Sequence, residues 1–156
     1  MQLSDIISSG SVLPNLKASS KRQLLQELAN EGARMTGIEP QVIFETLLRR
    51  EKLGSTGLGE GIAIPHGKFA ALDKVHGVFA RLATPVKFES VDDNPVDLVF
   101  LLLAPESAGA DHLKALARIS RLLRDPSVVE KLRGTDNAAG LYAILTEPSA
   151  SAPHAA

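Results

Sequence analysis

The chain has 156 residues, enough for one domain, and its composition of 44% hydrophobic and 22% charged residues is that of a globular protein. Lysine and arginine total 17 against 18 aspartate and glutamate, a net charge of −1 that argues against binding to nucleic acid or an anionic membrane. Cysteine is absent, which excludes disulfides, thiolate metal sites and a cysteine nucleophile. Because there is also no signal peptide and no apolar run long enough to span a bilayer, we expect a cytoplasmic protein.

The first two elements are predicted to be helices. Residues 20–36 carry leucines at helical spacing, with Ser19 or Ser20 as the cap and Gly37 as the end. Pro40 suits the first turn of a second helix that runs to about Lys52.

The middle of the chain is predicted to contain strands. A short one covers Ile62–Ile64, and a second covers Val75–Ala83 and is closed by Thr84 and Pro85. The segment Val96–Ala104 is almost continuously apolar, which is typical of a central strand covered on both faces.

Three more helices are predicted after these strands. They cover residues 110–124, a short segment from Pro126 to Gly134, and a last segment capped by Thr135 or Asp136 and ending near Thr146. Helices that alternate with strands indicate an α/β fold, which we expect to be a single-domain, three-layer α/β/α structure with a mixed sheet flanked by helices on both faces. We expect the domain to cover residues 1–146, with residues 147–156 as a disordered tail.

The segment from Gly54 to Lys68 carries the chemistry. It holds five glycines in 14 residues, a density that lets backbone N–H groups approach a ligand. The spacing fits neither a Walker loop, because five residues separate Gly61 from Gly67 and Phe69 follows Lys68, nor a dinucleotide-binding loop. Nucleotide binding is therefore not predicted, and we expect no cofactor.

His66 is the first candidate for a reactive residue. It lies between Pro65, which fixes the path of the chain, and Gly67, which leaves room over the ring. Together with the positive charges of Arg49 and Arg50 and with free N–H groups, a neutral imidazole here suits reception of a phosphoryl group. The alternative is a turn histidine without chemistry.

His112 is the second candidate. Its spacing to Leu116, Ile119 and Leu123 places it on the buried edge of the third helix, near the N-terminus. From the residues alone, it is either a core histidine or a second imidazole that donates to a phosphoryl group on His66. His76 is interpreted as a surface residue, and the histidines lack the spacing of a metal site. No Gly-x-Ser-x-Gly motif is present, and Asp92-Asp93 is interpreted as a solvated turn.

The 19 residues from Arg50 to Lys68, REKLGSTGLGEGIAIPHGK, resemble the phosphoryl-accepting motif of the fructose/mannitol-type IIA proteins of the bacterial phosphotransferase system. The resemblance is greatest to the nitrogen-regulatory branch and extends over residues 1–146, including Asp111-His112-Leu113. It implies that His66 is phosphorylated on Nε2, that His112 is the second active-site histidine, that Arg50 stabilises the phosphoryl group, and that Glu60 lines the same site.

The resemblance also implies a function and its partners. The chain would be a phosphotransferase component, a phosphohistidine carrier that accepts its phosphoryl group from an HPr-like protein and regulates targets such as potassium transporters or sensor kinases. We expect an apolar rim around the site from Leu58, Ile64 and Phe69. Two alternatives stay open: a sugar-transport IIA protein that passes phosphate to a IIB domain, and a protein-binding regulator that is not phosphorylated.

Overall fold

The computed structural model describes residues 2–147, so most of the predicted tail lies outside the described residues. Two 3-10 turns, Leu3–Asp5 and Ser9–Ser11, precede the regular elements. The strands are β1 (Val12–Leu16), β2 (Gly57–Gly59), β3 (Ile62–Ala63), β4 (His66–Phe69), β5 (His76–Val86) and β6 (Val96–Pro105). The helices are α1 (Lys21–Thr36), α2 (Pro40–Lys52), α3 (Gly109–Leu123), α4 (Pro126–Arg133) and α5 (Ala138–Thr146).

The six strands form one mixed sheet in the order β1-β5-β6-β3-β2, and β4 also pairs with β6. β1 is parallel to β5, β5 is antiparallel to β6, and both β3 and β4 run parallel to β6. Helices α1 and α2 cover one face, while α3, α4 and α5 cover the other, so two hydrophobic cores lie on opposite sides of the sheet. The three-layer α/β/α prediction is confirmed.

Several predicted ends are found in the structure. The Ser20 side chain accepts a hydrogen bond from the Gln23 N–H at the start of α1, and Gly37 ends that helix with a φ of 79°. The segment predicted from Pro126 is α4, and the side chain of Asp125 just before it accepts a hydrogen bond from the Ser127 N–H. These ends depend on local chemistry, which a sequence displays directly.

Other predicted ends are wrong. β5 continues through Pro85 to Val86, because the pairing register with β6 shifts between Arg81 and Val86 and an irregular stretch accommodates a proline. The last helix is capped by Asn137, which accepts from the Gly140 N–H, and not by Thr135 or Asp136. Three strands were not predicted at all: β1, which contains Pro14, and the short strands β2 and β4.

Strands β3 and β4 of the glycine-rich segment are two parts of one interrupted strand. β3 pairs Ile62 with Leu98 of β6, and β4 pairs His66 with Leu102, so the register against β6 is unchanged from one to the other. The interruption falls at Ile64 and Pro65, and a proline has no N–H to give to the ladder. The segment from Ile62 to Phe69 is therefore a single strand with a local gap just before His66.

Candidate functional site

Strand parity decides which way His66 faces. Side chains alternate along a strand, and Ile62 and Ile64 belong to the core under α3, whereas Ala63 and Phe69 belong to the core under α2. His66 is two residues after Ile64, so its half-buried side chain points to the α3 side. Gly67 points to α2, where an added Cβ would lie 2.9 Å from Thr46 Cγ2. A glycine here lets α2 pack close behind the histidine.

The His66 ring is held by the gap in the strand. Its Nδ1 lies 2.8 Å from the carbonyl oxygen of Ile64. A carbonyl can only accept a hydrogen bond, so Nδ1 carries the proton of the neutral ring and Nε2 keeps its lone pair. The geometry therefore leaves Nε2 as the nucleophilic nitrogen.

His112 lies beside His66. Its side chain is only 5% exposed in the first turn of α3, and the two ring centroids are 5.5 Å apart with an interplanar angle of 53°. Among the described residues, His112 Nδ1 has no hydrogen-bond partner. An unpaired buried polar atom is costly, so a nitrogen left in this state beside a second imidazole is suited to a visiting ligand.

Both histidines favour the neutral form. The pKa of His66 is lowered by burial; the Ile64 carbonyl opposes this, the Arg50 charge adds to it, and the Glu51 charge opposes it. The pKa of His112 is lowered by burial and further by the charges of His66 and Lys68. At neutral pH the pair therefore presents two uncharged imidazoles.

Arg50 contributes charge to the site from the last turn of α2. Its half-buried side chain donates a hydrogen bond from Nη1 to the Gly54 carbonyl at 2.9 Å. This bond holds the guanidinium at the start of the glycine-rich segment. Its charge acts on His66. The structure thus brings three of the four predicted site residues, His66, His112 and Arg50, into one region.

A buried carboxylate supports this region from behind. Glu51 is 9% exposed, pairs with Lys21 Nζ at 2.9 Å, and accepts from both the backbone N–H and the hydroxyl of Thr56. The carbonyl of Thr56 accepts from the Ile64 N–H at 3.0 Å, and the Ile64 carbonyl accepts from His66. A continuous series of contacts therefore runs from Lys21 to the His66 ring.

Sequence reasoning missed Glu51, although a signal was present. Phe44, Leu47 and Glu51 follow one another at helical spacing, so Glu51 occupies the next position of the buried stripe of α2. A charged residue at a position that periodicity assigns to the core needs a buried partner, and here it has two in Lys21 and Thr56.

Glu60 lies elsewhere on the same strand system. It forms, with Gly61, the turn between β2 and β3, and both have positive φ, at 58° and 83°. Its N–H donates to Asp92 Oδ2 at 2.8 Å, and its carbonyl accepts from Arg133 at 2.6 Å. This turn adjoins Ile62, which pairs with β6 four residues before the partner of His66, a separation of about 13 Å.

The rim of the site differs from the predicted one. Ile64 and Phe69 are 3% and 5% exposed and belong to the two cores. Leu58 instead lines a groove of about 760 Å³ between the β2–β3 turn and α4. Two exposed apolar side chains are adjacent in sequence to predicted site residues: Leu53, three residues after Arg50, is 84% exposed, and Leu113, next to His112, is 66% exposed.

His76 starts β5 on the other side of β6, paired with Leu103, while His66 pairs with the adjacent Leu102. Because side chains alternate along a strand, the side chains of His76 and His66 lie on opposite faces of the sheet. Within residues 2–147, no three histidine or carboxylate side chains are grouped as a metal site requires. In the same range, no helix has both the length and the apolar composition of a membrane span.

Comparison with protein families gives one match that covers almost the whole domain. Residues 5–147 match the model described as phosphoenolpyruvate-dependent sugar phosphotransferase system, EIIA 2. A nitrogen regulatory protein of Bradyrhizobium diazoefficiens is 56% identical over 152 residues, which cover 97% of this chain and 99% of the relative.

Solved structures show the same similarity. The crystal structure of the nitrogen regulatory protein IIA-Ntr from Neisseria meningitidis is 37% identical with a TM-score of 0.88, covering 92% of this chain and 99% of that one. The mannitol IIA enzyme of Escherichia coli, solved in complex with its phosphorylated IIB enzyme, is 26% identical with a TM-score of 0.76, covering 92% and 100% of the two chains.

Proposed function

The chain belongs to the EIIA 2 family of the phosphoenolpyruvate-dependent sugar phosphotransferase system, and from this premise we propose that it is a phosphohistidine carrier of the nitrogen-related branch. It accepts a phosphoryl group on His66 from an HPr-like protein and regulates partner proteins according to its phosphorylation state. The nitrogen branch is supported by the relatives at 56% and 37% identity, both of which are nitrogen regulatory proteins.

The observation that carries the proposal is the orientation of the His66 ring. The Ile64 carbonyl fixes the proton on Nδ1 at a distance of 2.8 Å, and Nε2 is left as the nucleophile. His112 stands 5.5 Å away between ring centroids, with a buried nitrogen that lacks a protein partner. A phosphoryl group on Nε2 would bring oxygen acceptors into the neighbourhood of this unused polar group.

The transfer needs no cofactor and no net change in protons. The lone pair of His66 Nε2 attacks the phosphorus of the donor's phosphohistidine in line. The P–Nε2 bond forms while the donor's P–N bond breaks, and the donor imidazole leaves with that electron pair. The Nδ1 proton stays against the Ile64 carbonyl throughout. The protein mainly aligns the two rings and disperses the negative charge of the transferring group.

Three groups supply that charge stabilisation in the proposal. Arg50 adds a positive charge that already acts on His66. His112 donates to a phosphoryl oxygen. The first N–H groups of α3 have no side-chain cap, because its N-cap residue is Ala108, and uncapped N–H groups at a helix start favour anions. The role of Glu60, which the family resemblance includes, stays a prediction and is tested below.

The site is open enough for a protein donor. His66 is half-buried on β4, and Leu53, just after α2, and Leu113, in the first turns of α3, are both exposed. Exposed leucines around a reactive group provide apolar contact for a docked partner. Regulation follows because phosphorylation adds about −1.5 to −2 charges to this surface and so changes which partners it fits, potassium transporters and sensor kinases among them.

Intact-mass analysis after incubation with a phosphorylated HPr-like protein tests the proposal. Wild type should gain one acid-labile phosphoryl group, and His66→Ala should gain none. His76→Ala is the matched control, since it removes a histidine at the same level of the sheet on the other side of β6; it should be labelled like wild type. Absence of any adduct on wild type, with donors of both the nitrogen and the sugar branch, would favour a binding regulator that is not phosphorylated.

A sugar-transport role is the second candidate, and the similarity to a mannitol IIA enzyme solved with its phosphorylated IIB enzyme favours it. The phosphorylated chain can be incubated with fructose- and mannitol-type IIB domains. Rapid loss of the label from His66 to the cysteine or histidine of a IIB domain would support transport. Retention of the label on His66 would support the regulatory role.

A further inference from the structure

The solvent face of α3 carries a row of positive charges. Lys114, Arg118, Arg121 and Arg124, the α3 basic stripe, are all exposed. At about 100° per residue, the first three lie within roughly 60° of one another and opposite the buried side of the helix. The stripe starts two residues after His112, so it begins at the candidate site and runs away from it.

The four positive charges of the stripe outnumber the single acidic residue of α3, Asp111. None of the ion pairs found in residues 2–147 includes a member of the stripe. The last nine residues of the chain contain no aspartate or glutamate, so the C-terminal segment offers no acidic side chain either. Like charges three and four residues apart repel each other on a helix, and a mixed surface would avoid this arrangement.

We infer that the α3 basic stripe attracts and steers an acidic surface of the protein that exchanges phosphoryl groups with His66, an inference that rests on the proposed function. A standard protein interface buries about 800 Å² per partner, a disc of about 16 Å radius. Lys114 and Arg118 lie about 3 and 9 Å beyond His112 along the helix axis. Lys114 is about 200° around the helix from His112, so the stripe faces solvent beside the site and not the two rings. It acts through its electric field on a partner that approaches His66.

Other classes of occupant fit less well. The net charge of −1, the absence of tryptophan and the single tyrosine do not suit nucleic acid. Among the described residues of α3, Leu113 is the only large apolar side chain that is exposed, so this helix has no apolar face to insert into a membrane. The class of partner that remains is a protein with an acidic surface, whose charge is complementary to that of the stripe.

Phosphorylation of His66 would weaken the attraction between the stripe and an acidic partner. The transferred group adds negative charge next to the N-terminal end of the stripe. That charge offsets part of the attraction for an acidic surface. The spent donor therefore dissociates from the phosphorylated chain more readily than the loaded donor dissociates from the unphosphorylated chain. The stripe thereby favours turnover as well as capture.

The test measures the rate of phosphoryl transfer from a phosphorylated HPr-like protein of the same organism by rapid quench and intact mass. The stripe variant Lys114→Glu/Arg118→Glu is compared with the control Lys17→Glu/Lys87→Glu, in which exposed lysines are reversed beyond the opposite sheet edge and at the far end of β5. Each reversal removes two charges, so both variants change the net charge from −1 to −5. The comparison thus separates position from total charge.

At about 0.02 M salt, the stripe variant should lose at least tenfold in the second-order rate constant, whereas the control should lose less than about threefold. At about 0.5 M salt the difference should shrink, because exposed charges are screened. The rate at saturating donor and the final extent of labelling should match wild type, since the reacting groups are intact.

Each other outcome overturns the inference. Equal rates for the two variants, with complete labelling of both, would refute the role of the stripe in attracting the donor and leave the proposed function standing. No labelling of wild type at any donor concentration would refute both. Stripe-dependent binding to RNA or to vesicles containing phosphatidylglycerol, without an effect on the transfer rate, would assign the stripe to those ligands instead.

Discussion

The strand from Ile62 to Phe69 has two ends of opposite character. At the Glu60–Gly61 turn, the backbone is held by Asp92 and Arg133, and Arg133 is itself paired with Asp97 at 2.9 Å. At the other end, His66 has one backbone partner and its neighbour His112 keeps a buried nitrogen with none among the described residues. Polar groups are satisfied where the strand is anchored, and one is left without a partner at the candidate site. The following predictions test this contrast.

The largest effect is expected at the open end, from His112→Ala. Removing one preorganised donor typically slows a transfer by about 10²–10³-fold, and we expect that reduction in the rate of phosphorylation by a phosphorylated carrier. The final labelling of His66 should still reach completion, which long incubation and intact mass will show. A folded His112→Ala protein that never becomes labelled would reverse the roles of the two histidines.

The second prediction concerns the contacts behind His66. Lys21→Met leaves the Glu51 carboxylate buried without its 2.9 Å cationic partner and should destabilise the protein by about 3 kcal/mol in chemical denaturation. The double variant Lys21→Met/Glu51→Gln removes the isolated charge and should recover part of that loss. If the single and double variants are equally stable, the pair does not anchor this region.

The third prediction concerns the anchored end. Arg133→Ala removes the pairing with Asp97 and the hydrogen bond to the Glu60 carbonyl and should cost about 2 kcal/mol of stability. Phosphorylation of His66 should proceed at the wild-type rate, because the turn lies about 13 Å along β6 from the site. A slowed transfer in a stable Arg133→Ala protein would show that the two ends are coupled.

The fourth prediction uses pH. His66 and His112 both have a pKa below the ordinary 6.5, so phosphoryl acceptance should be constant above pH 6.5. Below the pKa of folded His66 it should fall by about tenfold per pH unit, as Nε2 becomes protonated. His76 has a lowered pKa as well, so His76→Gln serves as the control and should leave this rate profile unchanged.

The same shifts predict the sign of the stability change. A histidine with a lowered pKa binds a proton less readily in the folded state than in the unfolded state. Above pH 6.5, the pKa of histidine in the unfolded state, the residue has no effect on the free energy of unfolding. As the pH falls from 6.5 through the lower pKa of the folded state, the folded protein loses stability. His112→Asn should therefore flatten the fall of the melting temperature below pH 6.5.

The smallest effect is expected at Glu60. The residue has a φ of 58°, and asparagine tolerates this conformation better than glutamate, so Glu60→Asn should stabilise the protein by about 0.5 kcal/mol. Because its exposed side chain lies at the anchored end, the rate of phosphorylation should stay within about twofold of wild type. A marked loss of transfer would instead support the active-site role that the family resemblance implies.

Much of the fold could be predicted from local signals. Ser20, Gly37 and Pro40 mark helix ends through capping and dihedral preferences that act within a few residues. β1 escaped prediction because its five residues contain Pro14 and because its pairing with β5 is a long-range contact. The extension of β5 through Pro85 likewise depends on an irregular pairing with β6 that no local pattern displays.

The candidate site was only partly accessible to the same reasoning. The motif singles out His66, and helical spacing gives His112 a buried position, but the 5.5 Å between them depends on how α3 lies over the sheet. The family resemblance supplied that pairing. The support from Lys21 through Glu51 and Thr56 joins three separate segments, so it could be recognised only once their positions were known.

The position of His66 on β4 also bears on aggregation. β4 pairs only with β6 among the described strands, and an unpaired strand edge is a template on which other chains can add. This edge is four residues long, follows a proline and carries the exposed charge of Lys68. Such features disfavour strand addition. Under the proposed function, the strand that carries His66 can therefore stay uncovered for a donor protein while its edge disfavours the addition of other chains.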